Sequence, residues 1–354
     1  VRLLFCLFAD DTGIFEKQQF LEYLEAKTAE DGHDLAHHLS ALFHALNTPE
    51  DKRLTNLDEH IAAFPYVNGK LFEETLPPAA FDAAMRQALL DGCSLDWGRI
   101  SPAIFGSLFQ SVMNADLRRN LGAHYTSEQN ILKLIRPLFL DQLREEFQAI
   151  RRNRPKLAEF HNRLASLRFL DPACGCGNFL VITYRELRLL ELEVLRELHK
   201  GREADFLDVS HIVLLDVDRF YGIEVEEFPA QIAQVALWMT DHQMNMRVSV
   251  EFGQYFRRLP LAKSPNILGM NALRVDWKTI LPPGQCSYVL GNPPFVGKKE
   301  QNAEQKADMS LIFGNIDGAG VLDYVSSWYM KAGEYIAGTK PTGAFASTNS
   351  ITQG

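Results

Sequence analysis

The residues that point most specifically to one kind of reaction form the tetrapeptide Asn292-Pro293-Pro294-Phe295. An exocyclic amino group is a poor nucleophile because its lone pair is delocalised into the ring that carries it. The side-chain oxygen of Asn292 and the carbonyl of Pro293 could accept its two hydrogens and direct that lone pair. The prolines keep the loop rigid and extended, and Phe295 offers an apolar face for a flipped base. For the tetrapeptide taken alone, a purely structural Asn-Pro turn is the alternative.

A second segment, Asp171-Pro172-Ala173-Cys174-Gly175-Cys176-Gly177-Asn178, lies between a short apolar stretch and a long helical pattern. Its glycines allow the backbone to turn sharply and to approach a ligand closely. The helix that begins there presents unpaired N–H groups and the positive end of its dipole, which suits a carboxylate. Asn178 is predicted to cap this helix. Because Cys174 and Cys176 have no second cysteine pair as partners, we predict no metal site.

Two polar residues follow predicted strands further along the chain. Glu224 ends the apolar stretch that begins at Phe220, and its carboxylate could accept hydrogen bonds from both hydroxyls of a ribose. The alternative is a surface position next to Glu226. Asn271 ends a third short strand and could meet an adenine edge. With the tetrapeptide, these residues predict a site for S-adenosylmethionine and methyl transfer to an amino nitrogen.

The elements that must position these residues can be read from the apolar pattern. Residues 1 to about 120 carry apolar side chains at three- and four-residue steps, which predicts a helical domain. From about residue 160, strands alternate with helices, which predicts an α/β fold with a parallel sheet and helices on both faces. The predicted strands are 167–170, 220–224, 266–269, 288–290 and 343–347, and the predicted helices are 178–199, 229–246 and 322–336. Ligands of such sheets bind beyond the carboxyl ends of the strands, where all these motifs fall.

The composition narrows the class of protein. The 354 residues suggest two domains, and 46% hydrophobic with 23% charged residues is typical of a folded protein. No apolar run reaches the roughly 18 residues needed to span a bilayer. Five scattered cysteines argue against a disulfide framework and favour the cytoplasm. A net charge of −9 argues against a chain that binds duplex DNA by itself.

In their order along the chain and in their residues, these segments resemble the adenine-specific, amino-group DNA methyltransferases of the gamma arrangement. More narrowly, they resemble MmeI-type enzymes, in which restriction endonuclease and methyltransferase share one polypeptide. The resemblance implies a Rossmann-like class I S-adenosylmethionine-dependent methyltransferase sheet over residues 121–354, preceded by an α-helical connector domain over residues 1–120. It also implies a cytoplasmic enzyme of a restriction-modification system that methylates the exocyclic amino group of adenine.

The resemblance assigns roles to individual residues. Catalysis would fall to Asn292, Pro293, Pro294 and Phe295, with no metal. The segment Gly122–Ser127 is similar to one that closes over the cofactor. The implied cofactor-binding residues are His124, Tyr125, Thr126, Asp171, Ala173, Gly175, Gly177, Asn178, Glu224 and Asn271. Two of these segments depart from the family pattern, since Cys176 stands where serine is commoner and Asn271 where many relatives carry aspartate.

The implied partner is double-stranded DNA with a flipped adenine. The chain starts at Val1 and stops at Gly354 within an apparent element, so we expect nuclease and target-recognition regions elsewhere in the same parent polypeptide. Two alternatives remain open at this point. One is an amino-group methyltransferase acting on protein glutamine or RNA, and the other is a truncated scaffold that binds S-adenosylmethionine without activity.

Overall fold

The computed structural model describes residues 1–67, 71–74, 77, 79–101, 103–104, 126–201, 209–256, 258, 263–314 and 316–347. The chain divides into two compact units. The first comprises Val1–Ile100, Asn245–Val250 and Tyr255–Ser264, and the second comprises Ser101–Met244, Glu251–Gln254 and Pro265–Gly354. No helix in the described ranges has both the length and the apolar character needed to cross a bilayer.

The described part of the first unit is built from helices, as its apolar periodicity predicts. They are α1 (Arg2–Asp11), α2 (Gln19–Lys27), α3 (Leu35–Asn47), α4 (Glu59–Ala62) and α5 (Ala83–Cys93). In α3, Leu35, Leu39 and Leu42 are buried because three- and four-residue steps place them on one face. The carboxylate of Asp10 accepts a hydrogen bond from the backbone N–H of Phe20 at 2.8 Å, which joins α1 to α2.

The second unit combines helices with a sheet. Its described helices are α6 (Glu128–Ile135), α7 (Asp141–Ile150), α8 (Arg154–Ser166), α9 (Asn178–His199), α10 (Glu227–Phe252, whose residues Asn245–Val250 are grouped with the first unit), α11 (Trp277–Ile280), α12 (Ala303–Phe313) and α13 (Ser326–Ile336). Its strands are β1 (Phe169–Asp171), β2 (Phe220–Glu224), β3 (Asn266–Gly269), β4 (Tyr288–Gly291) and β5 (Thr342–Phe345). A π-helical turn, Arg136–Leu140, joins α6 to α7.

The five strands are parallel and lie in the order β3-β2-β1-β4-β5, which confirms the predicted α/β sheet. The chain moves outward in one direction from β1 through β2 to β3, and in the other direction from β4 to β5. The direction therefore reverses between β1 and β4. In open parallel sheets, ligands bind outside the carboxyl ends of the strands at such a reversal.

Both faces of the sheet are covered by apolar side chains, as strand alternation requires. On one face, the Phe169 ring stacks on Phe220 and Tyr288, and Tyr184 of α9 meets Phe220 edge to face. On the other face, strand residues join a buried cluster with the helices that follow β3 and β4. Its members include Leu170, Ile223, Val289, Trp277, Trp328 and Tyr335.

Behind the first face lies a buried group of charges centred on Arg188 of α9. Arg188 forms ion pairs with Glu191 at 3.0 Å and with Asp241 of α10 at 2.6 Å. Glu191 also lies 2.9 Å from Nε2 of His161 in α8, and it accepts hydrogen bonds from the backbone N–H groups of Leu214 and Leu215. Burial would raise the pKa of Glu191, but the His161 hydrogen bond and the Arg188 charge hold it below its ordinary value.

Three local predictions need correction. Asn178 does not cap α9: Gly177 takes the cap position with φ 82°, a conformation that glycine adopts without steric cost, and Asn178 becomes the first helical residue. Helix α10 begins before Pro229, which is tolerated in a first turn, and runs to Phe252 instead of Met246. The predicted helix 322–336 begins only at Ser326.

Five of the described helices in the second unit were not predicted, namely α6, α7, α8, α11 and α12. Helix α12 follows the tetrapeptide, where the sequence analysis placed no element. Its start carries a capping box, in which the Asn302 side chain accepts from the Gln305 N–H and the Gln305 side chain accepts from the Asn302 N–H. The Asn-x-x-Gln spacing was therefore the sequence signal that could have located it.

Candidate active site

The predicted cofactor loop begins with a buried carboxylate. Asp171 ends β1 and is 1% exposed. Its Oδ1 accepts a hydrogen bond from the Ala173 N–H at 3.0 Å, whereas Oδ2 has no hydrogen-bond partner within the described ranges. Burial raises the pKa of Asp171 to about 8, and the nearby charge of Glu224 acts in the same direction. A cationic or hydrogen-bond-donating ligand group beside Oδ2 would favour the charged form of Asp171 and lower this pKa.

The two glycines of the loop have different surroundings. A Cβ at Gly177 would lie 2.8 Å from the Cβ of Ala233, so a larger residue there would collide with α10. At Gly175, where φ is 53°, a Cβ would meet nothing within 4 Å. The turn is therefore closely packed against the protein at Gly177 and open at Gly175. Since Asn178 starts α9, the open side lies next to unpaired helical N–H groups.

Glu224 is joined directly to this loop. Its Oε2 accepts a hydrogen bond from the Gly175 N–H at 2.8 Å, and its Oε1 accepts one from the Glu226 N–H at 3.1 Å. Burial raises the pKa of Glu224. These hydrogen bonds and this burial do not fit the alternative, in which Glu224 is a carboxylate at the protein surface. The ends of β1 and β2 thus bring Asp171, Gly175 and Glu224 together at one edge of the sheet.

The side chain of Asn271, which is predicted to contact an adenine edge, already forms hydrogen bonds to other residues of the protein. Its Nδ2 donates to Oδ2 of Asp308 at 3.0 Å, and its Oδ1 accepts from the Leu273 N–H at 2.9 Å. Asp308, in α12, is 1% exposed and also accepts from the Tyr324 hydroxyl and from Arg274, at 2.7 Å each. Asn271 follows β3 at the same sheet edge, but both ends of its amide are committed to these protein groups.

The tetrapeptide leaves the sheet next to the cofactor loop. Gly291 ends β4 with φ 155°, and a Cβ at this position would clash with Oδ1 of Asp171. Only glycine allows the strand to pass so close to that carboxylate. Asn292 follows immediately and is partly buried, Pro293 is buried, and Pro294 and Phe295 are partly buried. The catalytic and cofactor predictions therefore converge on neighbouring positions.

The side chain of Asn292 is held by a residue far away in the sequence. Its Nδ2 donates a hydrogen bond to Oγ1 of Thr126 at 2.8 Å. Thr126 belongs to the predicted segment Gly122–Ser127, of which His124 and Tyr125 lie outside the described residues. The structure thus brings the described end of that segment to the tetrapeptide.

The far end of the tetrapeptide is fixed by residues 322–328. The Val296 N–H donates to Oδ1 of Asp323 at 3.1 Å, and the Val296 carbonyl accepts from the Tyr324 N–H at 3.0 Å. Trp328, in the same stretch, donates from Nε1 to the Pro172 carbonyl at 3.0 Å. Residues 322–328 therefore contact both Val296, directly after the tetrapeptide, and the cofactor loop. Sequence reasoning missed them because they carry no motif of their own.

Cys174 of the loop is buried and Cys176 is partly buried. Burial raises the pKa of Cys176 to about 12 and that of Cys174 well above its ordinary value, so both thiols stay protonated. In the part of the chain that the structure describes, no group of three or more histidine, cysteine, aspartate or glutamate side chains could hold a metal ion.

Comparison with known proteins identifies the family. The family model described as "MmeI, DNA-methyltransferase domain" matches residues 147–354, which is more than half of the chain. The chain belongs to the MmeI DNA-methyltransferase family. A second model, described as "MmeI, helicase spacer domain", matches residues 1–72, within the predicted helical connector. The predicted resemblance to MmeI-type enzymes is therefore confirmed.

Two relatives show how far the likeness extends. DNA methyltransferase A of Bacillus subtilis is 40% identical over 358 residues, which cover 100% of this chain and 40% of that protein. The solved structure of the type IIL restriction-modification enzyme MmeI in complex with DNA is 66% identical, with a TM-score of 0.96. It covers 100% of this chain and 47% of the MmeI chain. The chain thus spans less than half the length of either relative. The structural likeness to MmeI confirms the predicted Rossmann-like class I methyltransferase fold.

Proposed function

We propose that the protein transfers a methyl group from S-adenosylmethionine to the exocyclic amino group of adenine in double-stranded DNA, as the modification activity of a restriction-modification enzyme. Membership of the MmeI family supports a DNA methyltransferase. The observation that carries the choice of an amino group is the position of Asn292 and Pro293, where β4 passes the buried carboxylate of Asp171.

The residues at the carboxyl ends of β1 and β2 suit this cofactor. The buried Oδ2 of Asp171 has no hydrogen-bond partner in the described ranges, and the turn is open at Gly175. The first N–H groups of α9 suit a carboxylate, and Glu224 suits a ribose. We assign cofactor binding to His124, Tyr125, Asp171, Ala173, Gly175, Gly177, Asn178 and Glu224, whereas the hydroxyl of Thr126, also implied by the resemblance, is bonded to Asn292 in the structure. Asn271 could contact the adenine edge only if its side-chain amide broke the hydrogen bond to Asp308.

The tetrapeptide would act by positioning. Asn292 Oδ1 and the Pro293 carbonyl accept the two hydrogens of the amino group, which favours a tetrahedral nitrogen whose lone pair is free to attack. Phe295 provides a face on which the flipped base can stack. When bound, S-adenosylmethionine would supply the methyl group from its sulfonium sulfur, which departs as a neutral thioether, and the methylated nitrogen would then release its extra proton to solvent. No protein acid or base is therefore needed before methyl transfer.

The same proposal covers the rest of the protein. Residues 1–120 would form a helical connector and residues 121–354 the methyltransferase core. The nuclease and target-recognition regions would belong to the same polypeptide, which acts on cytoplasmic DNA. MmeI itself is a type IIL restriction-modification enzyme whose structure was solved in complex with DNA, which supports this organisation.

Mapping of methylated bases tests the proposal. The protein, expressed with all the sequence that its natural gene encodes, should leave N6-methyladenine at one sequence motif in host DNA, and an Asn292→Ala protein should leave none. Purified protein with tritiated cofactor should label duplex DNA and neither RNA nor protein. Label in glutamine or RNA, or methylated cytosine in place of adenine, would contradict the proposal.

Glu224 provides a test of the cofactor site. Glu224→Gln keeps one acceptor for the Gly175 N–H but loses the charge and the second acceptor. We expect it to weaken S-adenosylmethionine binding by about 1–3 kcal/mol, the range for losing hydrogen bonds to a charged group. Isothermal calorimetry measures this directly. Glu227→Gln, three residues further along the chain and exposed at the start of α10, is the control and should bind normally. Unchanged affinity in Glu224→Gln would remove Glu224 from the site.

A further inference from the structure

The hydrogen bond between Asn292 and Thr126 joins two segments that are far apart in the sequence. We infer that Thr126 is a positioning residue, which holds the Asn292 amide with its oxygen available to the amino group of the substrate. This role differs from the cofactor contact that family resemblance implies for Thr126, and it rests on the proposed function. The 2.8 Å distance from Asn292 Nδ2 to Thr126 Oγ1 is the observation behind it.

The chemistry requires one orientation of the amide. An asparagine side chain has an acceptor at Oδ1 and donors at Nδ2, and a half-turn about its last torsion exchanges them. With Nδ2 toward an amino substrate, donors would face donors and the lone pair would not be directed. In the structure Thr126 accepts from Nδ2, so the amide stands in the productive orientation and this hydrogen bond helps to hold it there.

The backbone contacts alone do not hold the Asn292 amide in this orientation. Gly291 fixes the start of the tetrapeptide against Asp171, and the Val296 N–H and carbonyl fix its end. These contacts place the main chain of Asn292 but leave the rotation of its amide open. The hydroxyl of Thr126 acts on that remaining torsion.

The position of Thr126 is linked to that of the cofactor loop through α6 and α9. It lies two residues before α6, whose Glu128 forms an ion pair and hydrogen bonds with Arg185 of α9. The buried Ile131 and Ile135 lie on the same helix. Because α9 begins at the cofactor loop, its first turns carry both Asn178 and the arginine that anchors α6. The hydroxyl of Thr126 is thus connected to the same framework as the cofactor turn.

Two substitutions separate this role from its alternatives. Thr126→Val removes the hydroxyl with little change in shape, and Thr126→Ser retains it. Thr342→Val, at an exposed position of β5, makes the same chemical change away from the site. The measurements are the single-turnover rate of DNA methylation, the affinity for S-adenosylmethionine by calorimetry, the thermal midpoint, and the crystal structures of both Thr126 variants.

We expect Thr126→Val to lower the single-turnover rate by about 10- to 100-fold, the scale of effect of a small misplacement of a catalytic group. Cofactor affinity and thermal midpoint should stay near those of the unmodified protein. Thr126→Ser should restore the rate to within about threefold, as expected if the hydroxyl is the active group. The crystal structure of Thr126→Val should show the Asn292 amide turned or in two positions, and that of Thr126→Ser should show it in place.

Other outcomes overturn the inference in distinguishable ways. A Thr126→Val protein as fast as the unmodified one removes the positioning role. Loss of cofactor affinity that accounts for the whole loss of rate makes Thr126 a cofactor contact only. A Thr126→Ser protein as slow as Thr126→Val excludes the hydroxyl as the active group. If the unmodified protein labels no adenine, the proposed function fails; an immobile Asn292 amide in Thr126→Val would separately contradict the positioning role.

Discussion

Asn292→Ala is expected to lower methyl transfer to adenine by about 100-fold or more, the scale seen when one preorganised hydrogen-bonding group is removed from an active site. The alanine lacks the acceptor that would direct the lone pair of the amino group, whereas the close approach of Gly291 to Asp171 of the cofactor loop does not depend on this side chain. The affinity for S-adenosylmethionine should therefore stay within about twofold of the original value. Single-turnover labelling measures the rate, and calorimetry measures the affinity.

The control for this prediction is Asn162→Ala, at an exposed position in the middle of α8. It makes the same chemical change outside the site and should leave both the rate and the affinity unchanged. An Asn292→Ala protein that transfers methyl groups at the original rate would exclude Asn292 as the catalytic acceptor. A protein that loses cofactor affinity in parallel with its rate would indicate a damaged loop instead.

Arg188→Met is expected to lower the free energy of unfolding by about 3–5 kcal/mol, the usual cost of removing one partner from a buried ion pair. Arg188 is 1% exposed, and its loss leaves the carboxylates of Glu191 and Asp241 buried without their cation. Methionine matches the aliphatic part of the arginine side chain, so the loss of stability would come mainly from the missing positive charge. Urea unfolding followed by tryptophan fluorescence measures it.

The same helix supplies the matched control. Arg196 also pairs with a carboxylate, Glu251, at 2.7 Å, but its side chain is 50% exposed. Because exposed ion pairs contribute little, Arg196→Met should cost no more than about 1 kcal/mol. If both substitutions had the same small effect, the buried charges would contribute far less to stability than their surroundings indicate.

Much of the sheet could be predicted because local patterns decide it. The predicted strands 220–224 and 266–269 and the helix 178–199 coincide with β2, β3 and α9. In each case a short apolar run, or a long three- and four-residue repeat, is bounded by glycine or a charged residue. Helix α12 was missed because its apolar pattern is weak, and only its capping box marks its start.

The candidate site was predictable in its order along the chain and less so in its contacts. The motifs lie at strand ends, so a parallel sheet necessarily collects them at one edge. The bonds from Asn292 to Thr126 and from Asn271 to Asp308 join residues distant in sequence or on different elements. Nothing local signals such pairs. The predicted roles of individual residues stay predictions that the experiments above address.

Residues 322–328 have a consequence for how this protein family could be recombined. They contact the end of the tetrapeptide through Val296 and the cofactor loop through Pro172. A chimera that exchanged the stretch after Phe295 would therefore separate both loops from their common support, although every signature motif would be retained. Crossover points placed before β1 or after α13 keep both contacts within one parent, so residues 169–336 form one inheritable block.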